Sequence, residues 1–217
     1  MKKSVLVLVH DYWHRRESIE PVLPLLFPET DWNVTLTVNP SDLRNAASSP
    51  DLFVSFKDVI ENDQIPTPLW CDNAWTVSLD RRIREDGMGF LAVHCGIADI
   101  PKEHFITQNI LRAFFVTHTI PCPVTMKPAA VHPITEGIEE FTFPMRDEHY
   151  IMEMNPCTET EVLAYTESEN GVQPAVWAHT YGKGRVCAAT PGHSTENISC
   201  PQYLKLLQNA AMWCART

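Results

Sequence analysis

No stretch of this 217-residue sequence approaches the roughly 20 consecutive apolar residues that a membrane-crossing helix needs. Nor does any pair of its cysteines have the C-x-x-C spacing. The first absence predicts a chain that does not cross a bilayer. The second removes the usual signature of a structural zinc cluster or a redox pair. The seven cysteines are scattered at positions 71, 95, 122, 157, 187, 200 and 214, an odd count without a disulfide framework, so reduced thiols in a cytoplasm are expected. Positive charge is also short. Lys and Arg number 17 against 27 Asp and Glu, and the net charge of −10 argues against nucleic acid or an anionic membrane as partner. The opening MKKSVLVLVHDYWHRR has the outline of a signal peptide, but its apolar run from Val5 to Val9 is cut short by His10 and Asp11. Repeats, low-complexity segments and linkers are absent too, which predicts one domain over residues 1–217.

What the sequence does carry is a series of short apolar runs. Ser4 to Val9, Trp32 to Val38 and Leu52 to Phe56 read as strands, and Asn73 to Glu85 as a helix. A helix capped by Ser18 and confined by Pro21 and Pro24 is expected after the first strand, and a proline-containing loop between Lys57 and Asp72. Alternating strands and helices predict a doubly wound, mostly parallel sheet flanked by helices. The second half adds short β pieces at Pro121 to Ala130, Phe141 to Met154 and Val162 to Thr166, then a hairpin over Gln173 to Thr190. Gly182 and Gly184 are expected to supply the positive φ of its YGKG turn. In the closing segment Tyr203, Leu206, Leu207, Ala210, Ala211 and Cys214 recur at helical spacing and predict one buried face.

The most informative stretch is GMGFLAVHCG, residues 87–96. An apolar strand ends abruptly in His94-Cys95, and in open α/β sheets ligands bind beyond the carboxyl ends of the strands. Ala92 and Gly96 flank His94 as the small residues of a tight elbow, whereas Cys95 would be flanked by Val93 and Ile97. His94 is therefore the expected apex. Three other places bring polar chemistry to strand ends. His14 lies in the loop HDYWH after the first strand, Glu148 in DEHY and His193 in PGHS. Strand alternation puts Asp147 and His149 on one face and Glu148 and Tyr150 on the other; for Asp147 an edge strand with solvated charge is also a credible reading. Imidazole and carboxylate are the usual donors to a borderline divalent ion, so His14, His94, Glu148 and His193 are candidate ligands, with Zn²⁺ first in line. No H-E-x-x-H motif shows locally that they meet. His179, in the hairpin, is expected to face the same site. His104, His118 and His132 have no acidic partner in register and are set aside.

GMGFLAVHCG, HPITEGIEEF (132–141), DEHY, YGKGRV (181–186) and PGHS occur in that order, and the closing helix ends in AAMWCA. In these motifs the chain resembles the trehalose-utilisation, or ThuA-like, family over nearly its whole length, most strongly from Gly87 onward. The resemblance implies a flavodoxin-like fold related to class I glutamine amidotransferases and a role in the catabolism of trehalose-type disaccharides or their keto forms. The family carries His at the elbow and varies the next residue, so it supports His94 rather than Cys95. The amidotransferase elbow G-x-C-x-G is missing, and the region from Leu43 to Asp72 has little that matches.

The expectation is a sugar-converting isomerase or hydrolase with His94, Cys95 and Glu148 as catalytic candidates, assisted by a divalent metal and using no nucleotide cofactor. Tyr12, Trp13 and His179 would bind a small sugar, with Trp75 a further candidate for stacking, although core packing is its expected fate. Two alternatives stand beside it: a Cys95-dependent amidase or hydrolase of the amidotransferase-like superfamily, and a sugar-binding or regulatory module without turnover. A homo-oligomer is the default assembly.

Overall fold

The computed structural model describes residues 1–60, 62 and 69–215. Most of the proline-bearing part of the Lys57–Asp72 loop lies outside the described residues. The strands are β1 (Lys3–Leu8), β2 (Trp32–Thr37), β3 (Leu52–Ser55), β4 (Gly89–Val93), β5 (Ala113–His118), β6 (Thr125–Pro128), β7 (Phe141–Thr142), β8 (Tyr150–Met154), β9 (Glu161–Ser168), β10 (Gly171–Tyr181) and β11 (Gly184–Ala189). Nine of them form one sheet in the order β2-β1-β3-β4-β11-β10-β9-β6-β7, and β5 pairs with β8 apart from it.

The first five strands of that order are mutually parallel, β11 lying beside β4 with Ala189 opposite Val93. This is the flavodoxin-like order, whose ligand crevice opens at the carboxyl ends of the strands where the winding reverses. The remaining strands extend the sheet in antiparallel fashion from β11 through β10.

Period-two alternation divides the central strands between two helical layers. Val5, Val7, Val9, Leu91 and Val93 join the core built with Leu206, Leu207, Ala210 and Ala211. Leu6, Leu8, Phe90 and Ala92 join the other, with Trp75, Leu79 and Ile83. The two helices responsible are Pro201–Cys214, whose six expected apolar residues are all buried, and Asn73–Arg84. The latter starts where it does because the Asp72 carboxylate accepts the Trp75 backbone N–H at 2.7 Å. Trp75 itself is buried against Phe53 and Trp70, which removes it from any sugar-stacking role. The paired β5 and β8 cover this second layer through Ala113, Tyr150 and Met152.

Two local expectations need correction. The helix after β1 is only Arg16–Ile19, it begins at Arg15 without a side-chain cap, and Ser18 lies inside it. Pro21 and Pro24 then break the segment into further single turns, Glu20–Val22 and Leu23–Leu26. In the β10–β11 hairpin only Gly182 has positive φ, +61°. Gly184 is needed for a different reason: a Cβ there would collide with the carbonyl oxygens of Met88 and Ile83. Among the described residues no helix is long and apolar enough to cross a membrane.

Candidate functional site

The carboxyl ends of β1, β4 and β11 each deliver one histidine to the crevice. After β1 the chain turns through His10, and Asp11 gathers the loop. Its carboxylate accepts the backbone N–H groups of Trp13 and His14, and that of Asp58 at 2.9 Å. The same carboxylate takes His14 Nδ1–H at 3.1 Å, which leaves His14 Nε2 as a lone pair. Burial opposes ionisation of Asp11, but its bonds with His14 and these backbone donors outweigh that and hold its pKa down at about 2.

β4 ends in the expected elbow. His94 has φ +49°, in the left-handed region that few non-glycine residues adopt. The elbow lies close against β3: at Gly96 any Cβ would strike the carbonyl of Ser55. The His94 ring is fully buried, and its Nδ1–H donates to the Thr190 carbonyl at 2.9 Å, so Nε2 is again the free lone pair. Thr190 follows β11 and leads to Pro191-Gly192-His193. There the buried Asp147 carboxylate accepts the N–H groups of Gly192 at 2.9 Å and His193 at 3.1 Å. Asp147 is thus a structural clamp and not a solvated edge charge. Alternation along DEHY is obeyed: His149 packs with Ser168 and Thr166, while Glu148 and Tyr150 turn to the crevice.

The result is a tight cluster. One ligand atom each from His14, His94, Glu148 and His193 lies within 4.8 Å of every other. Glu148 Oε2 stands 3.5 Å from His94 Nε2 and 3.3 Å from His193 Nδ1, and His193 Nδ1 stands 3.3 Å from His14 Nε2. Burial resists the charge on Glu148, but its close approach to the His193 and His94 rings overcomes it and holds its pKa well below the usual carboxylate range. The hydrogen bond to Glu148 in turn raises the pKa of His193. Three imidazoles and one carboxylate at this spacing fit a divalent ion of zinc type, and the outward ring nitrogens of His14 and His94 carry the carboxylate and carbonyl partners that metal-bound histidines usually have.

Other expected site residues fall elsewhere. Cys95 is buried beneath the cluster, its thiol donating to the Phe56 carbonyl at 3.0 Å. Its sulfur lies within 4.8 Å of ligand atoms of Asp11 and His14. Burial, then the negative charges of Asp11 and Asp58, push its pKa far up, which disfavours the nucleophilic thiolate. His179 does not reach the cluster. It sits opposite Val186, three residues back from the carboxyl end of β11, and among the described residues neither ring nitrogen meets a partner in good hydrogen-bond geometry. Tyr12 and Trp13 are exposed beside His14, edge to face at 4.5 Å. His132 caps a local turn, while His10 is exposed and holds the Arg16 N–H.

Two groups were not expected. Tyr150 OH lies 3.4 Å from His94 Nε2, and its burial keeps the phenol protonated. His118, set aside for want of an acidic partner, stands 3.6 Å from Glu148 Oε1. The pairing of β5 with β8, continued by the Thr119 backbone N–H on the His149 carbonyl, brings them together. Beneath the crevice Asp58 is buried next to Asp99 and Asp11, and burial with those neighbours raises its pKa to about 8. A separate groove of about 710 Å³, lined by Pro128–Ile138, holds none of the four cluster residues.

The family model described as trehalose utilisation (ThuA) matches residues 4–214, and the chain belongs to that family. No curated protein matches it in sequence. Among solved structures it is similar to a ThuA-like protein from Parabacteroides merdae ATCC 43184, with a TM-score of 0.76 at 15% identity over 99% of this chain and 90% of that one. A ThuA-like protein from Bacteroides uniformis ATCC 8492 superposes with a TM-score of 0.74 at 17% identity, over 98% and 91%. A cytoplasmic protein from Salmonella typhimurium LT2 gives 0.63 at 16%, over 99% and 97%. At these identities the likeness is one of fold.

Proposed function

We propose that this member of the trehalose-utilisation family is a metal-assisted enzyme of sugar catabolism, an isomerase or hydrolase of a trehalose-type disaccharide or its keto form. His14, His94, Glu148 and His193 would hold one divalent ion, Zn²⁺ by preference. The observation that carries this reading is the arrangement of the outer ring nitrogens. Asp11 and the Thr190 carbonyl occupy Nδ1 of His14 and His94, so both rings offer Nε2 lone pairs to a common point. A divalent ion supplies a Lewis acid for a sugar oxygen, or a water of lowered pKa.

The chain's own groups account for the rest. Tyr150 keeps its proton and sits beside His94, where it can donate a hydrogen bond to a substrate oxygen. Asp58, its pKa raised by burial and by the neighbouring Asp99 and Asp11, is a carboxyl biased toward its protonated form under the same crevice. Tyr12 and Trp13 expose aromatic faces of the kind that stack on sugar rings. A cytoplasmic setting is supported by seven unpaired cysteines and by the Salmonella structural relatives described as cytoplasmic proteins.

Elemental analysis of the protein after zinc loading and desalting tests the reading, alongside His94→Ala and His193→Ala. About one ion per chain, lost in both variants, is the expected result, together with a zinc-dependent rise in melting temperature on adding trehalose or a keto-disaccharide. A wild-type chain that retains no metal would overturn it. Sugar binding without metal or turnover would leave the non-catalytic module in its place.

A further inference from the structure

The nine-stranded sheet ends differently on its two sides. At β7 the edge strand has two residues, Phe141–Thr142, and follows Glu139 and Glu140. At β2 it has six, and WNVTLT contains neither a charge nor a proline. β2 runs in unbroken register with β1, and among the described residues no strand covers its other side. Short strands, charges, prolines and bulges are the usual means of keeping an edge from pairing with another chain. β2 has none of them. Its bonds to β1 show which groups point outward. Lys3 N–H donates to the Asp31 carbonyl at 2.8 Å, and Val9 N–H to the Thr37 carbonyl at 3.0 Å. Amide groups of successive strand residues point to alternate sides, so the odd residues of β2 face β1 and the even ones face outward. The Trp32 N–H is taken by the Pro28 carbonyl at 3.0 Å. The outward set is therefore the Trp32 carbonyl with the N–H and C=O groups of Val34 and Leu36. Side chains alternate between the faces as well. Val34 and Leu36 line a groove of about 450 Å³ together with Leu23, Pro24 and Phe27. Thr35 lines a second groove of the same volume with Leu6 and Ser49.

We propose that β2 is the seam of a homodimer, in which it pairs antiparallel with β2 of a second copy about a two-fold axis at the middle of the strand. The strand is complementary to itself. Antiparallel bonds form only between residues that both turn their amide groups outward, so even residues must stand opposite even ones. Trp32, Val34 and Leu36, the apolar residues of β2, are those residues. Ladder bonds and apolar contacts therefore fall on the same positions, and each groove beside Val34 receives apolar side chains from the other copy. Asn33, Thr35 and Thr37 meet one another on the opposite face. A slip of one residue would set outward amides against inward ones and apolar side chains against polar ones. The alternation admits an axis at Val34 or at Thr35, and either gives a closed, isologous contact. Antiparallel pairing also turns the carboxyl ends of the two sheets, and with them the two crevices, to opposite ends of the dimer. β2 supplies none of the four cluster residues, so the seam stands independently of the metal reading.

Sedimentation equilibrium of the full chain tests the inference. The wild type is expected at twice the chain mass of 24.6 kDa. Val34→Lys is expected at the single mass, because a charge buried in the seam has no partner there. Val34 is 39% exposed in the single chain, so this variant should keep the wild-type far-ultraviolet circular dichroism, which separates a lost contact from a lost fold. Val34→Cys and Thr35→Cys, each combined with Cys157→Ser to remove an exposed thiol, locate the axis. A residue on the axis faces its own copy at about 4.5 to 5.5 Å between Cα atoms, within reach of a disulfide. One of the two variants should therefore cross-link on mild oxidation. A wild type at the single mass would overturn the inference and leave the edge to solvent or to a strand of another protein. A dimer that survives Val34→Lys, or that cross-links at neither position, would place the contact on another face and overturn it as well.

Discussion

The carboxylate of Asp147 accepts the backbone N–H of His193 at 3.1 Å, 46 residues away in sequence. With Gly192 N–H on the second oxygen, one buried side chain fixes the whole turn that presents His193 to the cluster. The geometry of the site is therefore set partly by a group that never touches its centre.

Removing that group should unseat His193. In Asp147→Ala the backbone N–H groups of Gly192, His193 and Glu148 lose their acceptor, at a cost of about 2 to 4 kcal/mol in folding stability. Asp147→Asn, which keeps one acceptor oxygen, should lose less. Urea unfolding of both variants measures this, and zinc retention should fall in the same order. An alanine variant as stable as the wild type would show that the turn holds itself.

Cys95 offers the opposite expectation. Its thiol is buried, bonded to the Phe56 carbonyl and disfavoured as an anion. Cys95→Ser retains a donor of similar size, so folding stability should change by only about 1 kcal/mol. Zinc content and any sugar turnover should be preserved. Loss of turnover with metal content intact would revive a thiol mechanism.

A third expectation concerns acid. Burial, and then the positive charge of Arg112, lower the His179 pKa to about 3. In the unfolded chain a histidine titrates near 6.5. Above that value neither state holds the proton and no stability is lost. Between about 6.5 and 3 the unfolded chain binds a proton that the folded chain refuses, so stability falls as the pH falls. From pH 6.5 to 5 this one group should cost about 1 to 2 kcal/mol. His179→Leu should remove that part of the acid sensitivity, measured as the difference in urea midpoint between the two pH values. An unchanged pH dependence would locate the acid sensitivity in other groups.

His94 was legible as the apex because an apolar strand stops at it and small residues flank it, both properties of adjacent positions. The buried face of Pro201–Cys214 was legible for the same reason, since helical spacing is local. His118 was not. Its partner Glu148 lies 30 residues on, and the pairing of β5 with β8 follows no alternation that the sequence makes obvious. Asp147 could be read as solvated because nothing in its own segment announces the N–H groups of residues 192 and 193. His179 was expected in the site because it belongs to the hairpin that leads there. Alternation fixes the face of a strand residue but not its depth along the strand, and His179 lies at the wrong depth.

β11 takes its place between β4 and β10, in the middle of the sheet, although it is the last strand of the chain. During synthesis the loop bearing His14 and the elbow bearing His94 emerge first, with the central gap still unfilled. The fourth donor follows that final strand. A ribosome-bound chain short of residue 193 lacks one of the four clustered side chains and leaves a sheet edge exposed at β4, so the cluster is completed only after translation has passed β11.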